Sequence, residues 1–420
     1  MHYELHFEIM ELYLIIFCRE LAKAEQTRSR HKLLIKALEK RFDVHLVRCE
    51  DADSIPSGAY KMAFIATGYV EDKVLRHFSV FPYPITLLTD GLYGSLGAAM
   101  EVAASIRSKD LKVRVIHGTP EDMAEEVMLC GKAFAARKAL RGKRIGVIGT
   151  PAPWLVASHV DYYLASQRWG VNYVDIPIDE LARNFHNVSD DDIGMKASEI
   201  ATRAAECRDT TPECLLRAMR LYEASRRICL EHKLDAITLP NISVADILDT
   251  TGDLALSLLN DEGIPAGCEG DLQSIATLMM VKELTGQTGF MGDTTFVDTK
   301  TNEVTLAHCA IATQLTEQFT ICDHFEAHKG VALRGIVREG EVTVVKCGGE
   351  CLDEYFMSEG WLTENTQIAA APRTQLKIKL DKPVSYFLQN PLGSHHIVIL
   401  GHHAELVQYF MQQNRSRLRE

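Results

Sequence analysis

The order of the apolar runs constrains this chain more than any other feature. Between residues 12 and 286, short continuous apolar runs alternate with longer segments whose apolar residues recur three and four positions apart. The short runs are LYLIIF (12–17), DVHLVRC (43–49), KMAFIAT (61–67), PITLLTD (84–90) and KVRVIHG (112–118), separated by helix-like segments such as SRHKLLIKALEKR (29–41) and GSLGAAMEVAASIRS (94–108). A continuous apolar run flanked by amphipathic helices reads as a strand buried on both faces, so the pattern predicts parallel sheets covered by helices. The pattern restarts at RGKRIGVIGTPAPWLVAS (141–158), after the long helical stretch 120–140. It predicts a strand at Ile145 to Ile148, a helix beginning near Trp154, strands at 171–178 and 234–241, one long helix over about 196–233, and a helix over 244–263. It ends with the strand IPAGC (264–268) and a helix over 272–286.

After Gly286 the period changes to two. TTFVDTKTNEVTLAHCAIA (294–312) carries a turn signal at 300–302 with alternating apolar residues on both sides. GVALRGIVREGEVTVVKC (330–347) reads as a second hairpin across REGE, and 374–403 as two further strands. The expected fold class is therefore α/β: two Rossmann-like parallel-sheet domains (1–141 and 142–286) followed by a β-rich, barrel-like domain (287–420).

Several function classes are disfavoured. With 57 acidic against 45 basic residues the net charge is −12, which opposes nucleic acid or an anionic membrane as the main partner. No stretch approaches the roughly 20 apolar residues of a membrane span. The amino terminus, MHYELHFEIME, lacks the basic start of a signal peptide. Eleven cysteines without a C-x-x-C pair predict reduced thiols and a cytoplasmic location, and CGGEC (347–351) lacks the second ligand pair of a structural zinc site. GVIGTPAPW (146–154) places prolines where a dinucleotide-binding turn needs glycines, GLYGSLGAA (91–99) has the wrong glycine spacing, and no P-loop is present.

Glu269 and Asp271, in GCEGDLQS (267–274), sit between an apolar strand and a helix. Asp271 reads most simply as the cap of that helix, so Asp271→Asn is expected to do little. Glu269 ends a strand, where open α/β sheets place their ligands. Asp293 in FMGDTTFVD (290–298) reads either as a turn aspartate or as a ligand. His308 ends VTLAH (304–308). His395 and His396 open the strand IVIL, and of two adjacent strand residues one faces inward. Two carboxylates with one or two imidazoles are a set that a hard-to-borderline divalent cation accepts.

Taken in order, CEGD (268–271), FMGD (290–293), TLAHC (305–309) and GSHHIVI (393–399) resemble the L-fucose isomerase and L-arabinose isomerase superfamily. GTPAPWLVAS (149–158) looks similar to the middle domain of these enzymes; the amino-terminal 140 residues fit only by general α/β pattern. The resemblance implies a metal held by Glu269, Asp293 and His396. His308 falls where the arabinose enzymes have a further ligand, and Gly292 stands where they have the second acid as glutamate. It implies manganese (or another divalent cation such as magnesium or cobalt), a site between the last two domains, and a homo-oligomer, trimer or hexamer, with the site near a subunit interface. It implies aldose–ketose isomerisation of an open-chain monosaccharide, with Glu269 and Asp293 as catalytic proton-transfer groups and His395 orienting a ligand or the substrate. Trp154, Ser158, Trp361, Arg373 and Gln375 are further candidates for the substrate side, each with core packing or a solvated strand end as the plain alternative. The chain is shorter than either enzyme type, so a modified hexose, deoxy or sulfonated such as sulfoquinovose, stays open as substrate. A sugar-binding or regulatory protein without catalysis is the alternative from another class. The lack of a Lys/Arg cluster beside the metal motifs disfavours a phosphorylated sugar.

Overall fold

The computed structural model describes residues 10–19, 24–328 and 330–419. The amino-terminal stretch 1–9 lies outside the described residues. The chain divides into two compact units, residues 1–135 with 408–413, and residues 136–407 with 414–420.

In the first unit the five short apolar runs form one parallel sheet. Its strands are β1 (Met10–Phe17), β2 (Phe42–Arg48), β3 (Lys61–Ile65), β4 (Ile85–Leu88) and β5 (Val113–Ile116), in the order β2-β1-β3-β4-β5. The inner strands are buried on both faces, with Leu14, Ile15, Phe17, Ala63, Phe64 and Leu87 fully enclosed, as helices above and below require.

The second unit begins with a parallel sheet built from β6 (Arg144–Ile148), β7 (Asn172–Ile176), β9 (Ala236–Leu239) and β10 (Ala266–Cys268), in the order β10-β9-β6-β7. The short β8 (Glu206–Cys207) belongs elsewhere: it pairs with β13 (Gln318–Cys322), which pairs in turn with β14 (Ala332–Ile336). The β-rich part is a closed six-stranded antiparallel barrel. Its strands are β11 (Phe290–Asp298), β12 (Glu303–His308), β15 (Gly340–Gly348), β16 (Glu354–Asn365), β17 (Thr374–Leu380) and β18 (His395–Leu400). They run β15-β18-β11-β12-β17-β16 and close through β15–β16, while β19 (Arg417–Leu418) adds to β16.

The helix Leu272–Thr285 joins the two layers, packing on β9 and β10 on one side and on β15 and β18 on the other. Every residue from 271 to 281 is buried, and a helix apolar on all sides has no other stable place. Four sequence expectations are corrected. The run 330–347 is not a hairpin, because β14 pairs with β13 while β15 enters the barrel. The long helix over 196–233 is two, Asp190–Arg203 and Pro212–Glu231, each opened by its own cap, Ser189 and Thr211. No helix begins near Trp154. Residues 149–161 form an irregular loop past Pro151 and Pro153, and the helix starts at Tyr162 with Asp161 as cap. The helix expected over 244–263 also breaks, at Asp249, whose φ is 52°.

Among the described residues no helix is long and apolar enough to cross a membrane.

Candidate metal centre

Strand β10 ends at Cys268, and the next residue, Glu269, takes a left-handed backbone with φ of 63°. Such a conformation is strained for a residue with a Cβ and persists only where its surroundings enforce it. Here the Ala152 N–H donates to the Glu269 carbonyl (2.8 Å) and the Trp154 indole N–H donates to Glu269 Oε2 (2.8 Å). Gly270 follows with φ of 72°, its Cα so close to Pro151 that a Cβ would lie 2.6 Å from the proline Cα. Only glycine fits there, so the loop and the turn lock each other.

Asp271 caps the helix Leu272–Thr285, accepting from the Ser274 N–H at 2.7 Å. It does more than cap. Its carboxylate receives Lys346 Nζ (3.2 Å), the Ser274 hydroxyl (2.8 Å), the Ser158 hydroxyl (3.3 Å) and His395 Nδ1 (3.0 Å), all in the interior. Burial opposes its ionisation, yet Lys346 and the His395 ring hold the carboxyl well below the usual carboxylate range. Ser158 therefore braces Asp271 rather than facing a ligand.

Strands β11 and β18 are in register with Asp293 opposite His395 and Gly292 opposite His396. Cross-strand partners share a face, so Asp293 and His395 project together, with His395 Nε2 3.3 Å from Asp293 Oδ1. One donor atom from each of Glu269, Asp293, His308 and His395 lies within 4.8 Å of every other. His396 is not among them, which corrects the expectation from the resemblance. Strand alternation turns it to the other face, where its ring lies 4.7 Å from Phe387 and its Nε2 is 3.2 Å from the Tyr386 hydroxyl. Burial and the Lys346 charge push its pKa down to about 3, so it is a neutral core residue.

The imidazoles in the cluster differ. Burial alone would lower the pKa of His395, but the Asp293 and Asp271 carboxylates outweigh it and raise it to about 10. Burial likewise opposes ionisation of Asp293, and the His395 charge holds it at about 2. His395 Nε2 is fully buried and lacks an aligned hydrogen-bond partner among the described residues, although it faces a carboxylate. A cation replacing the Nε2 proton would satisfy it, with Nδ1–H fixed on Asp271 as metal-bound imidazoles usually are. His308 is lowered by burial and by the His395 charge. Its Nδ1 accepts the Cys309 N–H at 2.9 Å, so in the neutral ring the proton sits on Nε2. That atom donates, and has no lone pair for a metal. Glu269, Asp293 and His395 thus fit a divalent cation of the oxygen- and imidazole-preferring kind, and His308 stands beside them as a hydrogen-bond donor.

Glu269, Asp293 and His308 open on a cavity of about 510 Å³, within the range of small-molecule clefts, while His395 is buried beside Asp293. Trp154, Glu269, Asp293 and His308 line one part of it, Asn241, His324 and Phe325 another. Trp361 stands half-exposed on β16, outside this lining. Arg373 pairs with Asp323 and donates from Nε to its carbonyl (2.9 Å), bracing the loop that carries His324. Gln375 is consumed by Thr366, Ile368 and Pro372. Lys346, Asn241, Asp253 and His324 escaped the sequence reading. Lys346 left a signal, since it shares strand parity with the core residues Val342 and Val344.

No protein-family model and no curated protein sequence matches the chain.

Proposed function

We propose that this chain is a divalent-cation-dependent aldose–ketose isomerase that transfers a proton between C1 and C2 of an open-chain monosaccharide. The observation that carries this reading is the convergence of two carboxylates from different sheets, Glu269 beyond β10 and Asp293 on β11, on the wall of one cavity, with the anchored His395 buried within ligand distance of both.

The hydrogen on the carbon beside a sugar carbonyl is only weakly acidic, so its removal needs both a base and stabilisation of charge on O1 and O2. A divalent cation held by Glu269, Asp293 and His395 (manganese, magnesium or cobalt) supplies that stabilisation as a Lewis acid. The chain's residues do the rest. The Trp154 N–H engages Glu269 Oε2 and leaves the other carboxylate oxygen for proton transfer. Asp293, held ionised, accepts a proton rather than supplying one. Together the two carboxylates carry protons at the carbons and between the hydroxyl oxygens. His308 Nε2–H donates to a substrate oxygen in the neutral form that burial enforces.

The test is solvent exchange. Manganese-loaded protein in D2O is expected to exchange the C2 hydrogen of at least one member of a panel of aldoses and ketoses that includes deoxy and sulfonated hexoses. Glu269→Gln should lose that exchange together with cation affinity. Binding of a sugar without exchange for any member would replace this reading with a non-catalytic sugar-binding protein.

A further inference from the structure

The cavity has a second polar wall that the proton-transfer scheme does not use, lined by Asn241 and His324, with Asp253 buried against both. Asp253 opens the helix Asp253–Asp261 and is fully buried. Its Oδ1 accepts from Asn241 Nδ2 at 2.9 Å, and Asn241 is itself fixed by the Gly252 N–H on its Oδ1. Glycine at 252 leaves room for this approach, since a Cβ would lie 2.5 Å from a Leu239 methyl and 3.0 Å from Asn241 Oδ1. The other carboxylate oxygen, Oδ2, has no hydrogen-bond partner among the described residues. A buried carboxylate oxygen left open is expensive and signals something that completes it.

Facing it is His324, itself 5% exposed. Its Nδ1 accepts two backbone N–H groups, from Glu326 (3.3 Å) and Ala327 (3.2 Å). The proton of the neutral ring therefore sits on Nε2. Nε2 lies 4.0 Å from Asp253 Oδ2, too far for a direct hydrogen bond. One oxygen can stand about 2.8 Å from both atoms, accepting from Nε2–H and donating to Oδ2. A hydroxyl does both at once; a carbonyl, an ammonium or a methyl group does not.

We propose that Asp253 and His324 form a hydroxyl-recognition pair, reading one substrate hydroxyl away from the reacting carbons, with Asn241 as the positioning residue for Asp253. This rests on the sugar reading above and narrows it: the substrate carries a hydroxyl at the position the pair meets, and an analogue with hydrogen there is rejected. Sites built to bond a hydroxyl reject the analogue lacking it strongly, because their own polar groups are left bare.

The experiment uses ligands that cannot turn over. Binding of a series of pentitols and hexitols, and of their monodeoxy analogues, is measured by calorimetry on manganese-loaded full-length protein. Asp253→Asn and His324→Asn are the variants. The first keeps the shape and the Asn241 contact; the second keeps an acceptor where Nδ1 sits and removes the Nε2 donor. In the wild type, loss of one hydroxyl is expected to weaken binding by about 10- to 100-fold, as for hydrogen bonds to charged groups. In both variants that same deoxy analogue and its parent should bind within about threefold of each other, while discrimination at other positions persists. Unchanged discrimination in the variants, or lowered stability with unchanged discrimination, overturns the pair, makes its occupant a structural water, and leaves the isomerase reading standing. Binding with the expected discrimination but no C2 exchange for any sugar keeps the pair and removes the isomerase. Absence of binding by every polyol overturns both.

Discussion

Neighbouring histidines 395 and 396 have opposite electrostatics because a strand turns one toward carboxylates and the other toward phenyl rings. His395 is raised to about 10 and His396 lowered to about 3. A group raised in the folded protein stabilises it fully below the unfolded value of about 6.5, and that contribution is lost as pH rises through about 10. A cation needs the Nε2 lone pair, so binding in that window displaces one proton. Calorimetric titration of manganese in buffers of different ionisation enthalpy is expected to show about one proton released per ion between pH 7 and 9, with affinity rising with pH; buffer-independent heats would remove His395 as a ligand. Asp271→Asn belongs to the same scale and reverses the expectation from capping alone. Asparagine caps the helix as well as aspartate, but it leaves Lys346 charged and buried without its counter-ion and His395 with Asp293 alone. Breaking a buried pair from one side costs about 3–5 kcal/mol. Urea unfolding of the cation-free variant should show a loss of that order, and a change below about 1 kcal/mol would mean that capping is the whole role of Asp271.

At the scale of elements, the legible parts of the fold were those with a period. Strands β1 to β5 stand out as uninterrupted apolar runs, and the helix Leu272–Thr285 as an apolar helical run. Pairing partners were not legible: β14 and β15 are separated by a turn-like REGE, yet Gly335 donates to Thr374 and the two strands part into different sheets. The candidate site followed the same division. Glu269 and Asp293 were visible as acids at element ends, whereas the choice between His395 and His396 depends on β-strand register, which one residue of slip inverts. The stretch from Trp154 to Asp161 reads as the opening of a helix because what holds it as a loop is remote. Gln273 donates to the carbonyls of Ala157 (2.9 Å), His159 (3.3 Å) and Gly349 (3.4 Å). Gln273→Met removes these donors while preserving bulk, and the stranded carbonyls should cost about 1–3 kcal/mol. Hydrogen exchange is expected to quicken across 149–161 while the core of the helix Leu272–Thr285 stays protected; uniform protection in the variant would show that the prolines and Glu269 hold the loop unaided.

At the scale of the whole molecule, the candidate cation site draws on two layers of one unit. Glu269 and Asp271 come from the end of the parallel sheet, Asp293, Lys346 and His395 from the barrel, and the buried helix between them carries the cap. A ligand that binds only when both layers are in place stabilises their joint folding by mass action, by about 2.7 kcal/mol at a hundredfold excess over its dissociation constant. The sequence supplies a selective probe. Its three tryptophans, Trp154, Trp169 and Trp361, all fall within residues 136–407, so tryptophan emission reports this unit alone. The urea midpoint followed by emission is therefore expected to rise with manganese or magnesium concentration, and to stay fixed in Asp293→Asn, which keeps the shape of the side chain and loses the charge facing His395. Magnesium checks that paramagnetic quenching is not mistaken for unfolding. A midpoint indifferent to either ion, or one that moves equally in Asp293→Asn, would mean that no cation bridges sheet and barrel. The Asp293–His395 pair would then be an ion pair internal to the fold, and the acids at the cavity wall would need another explanation.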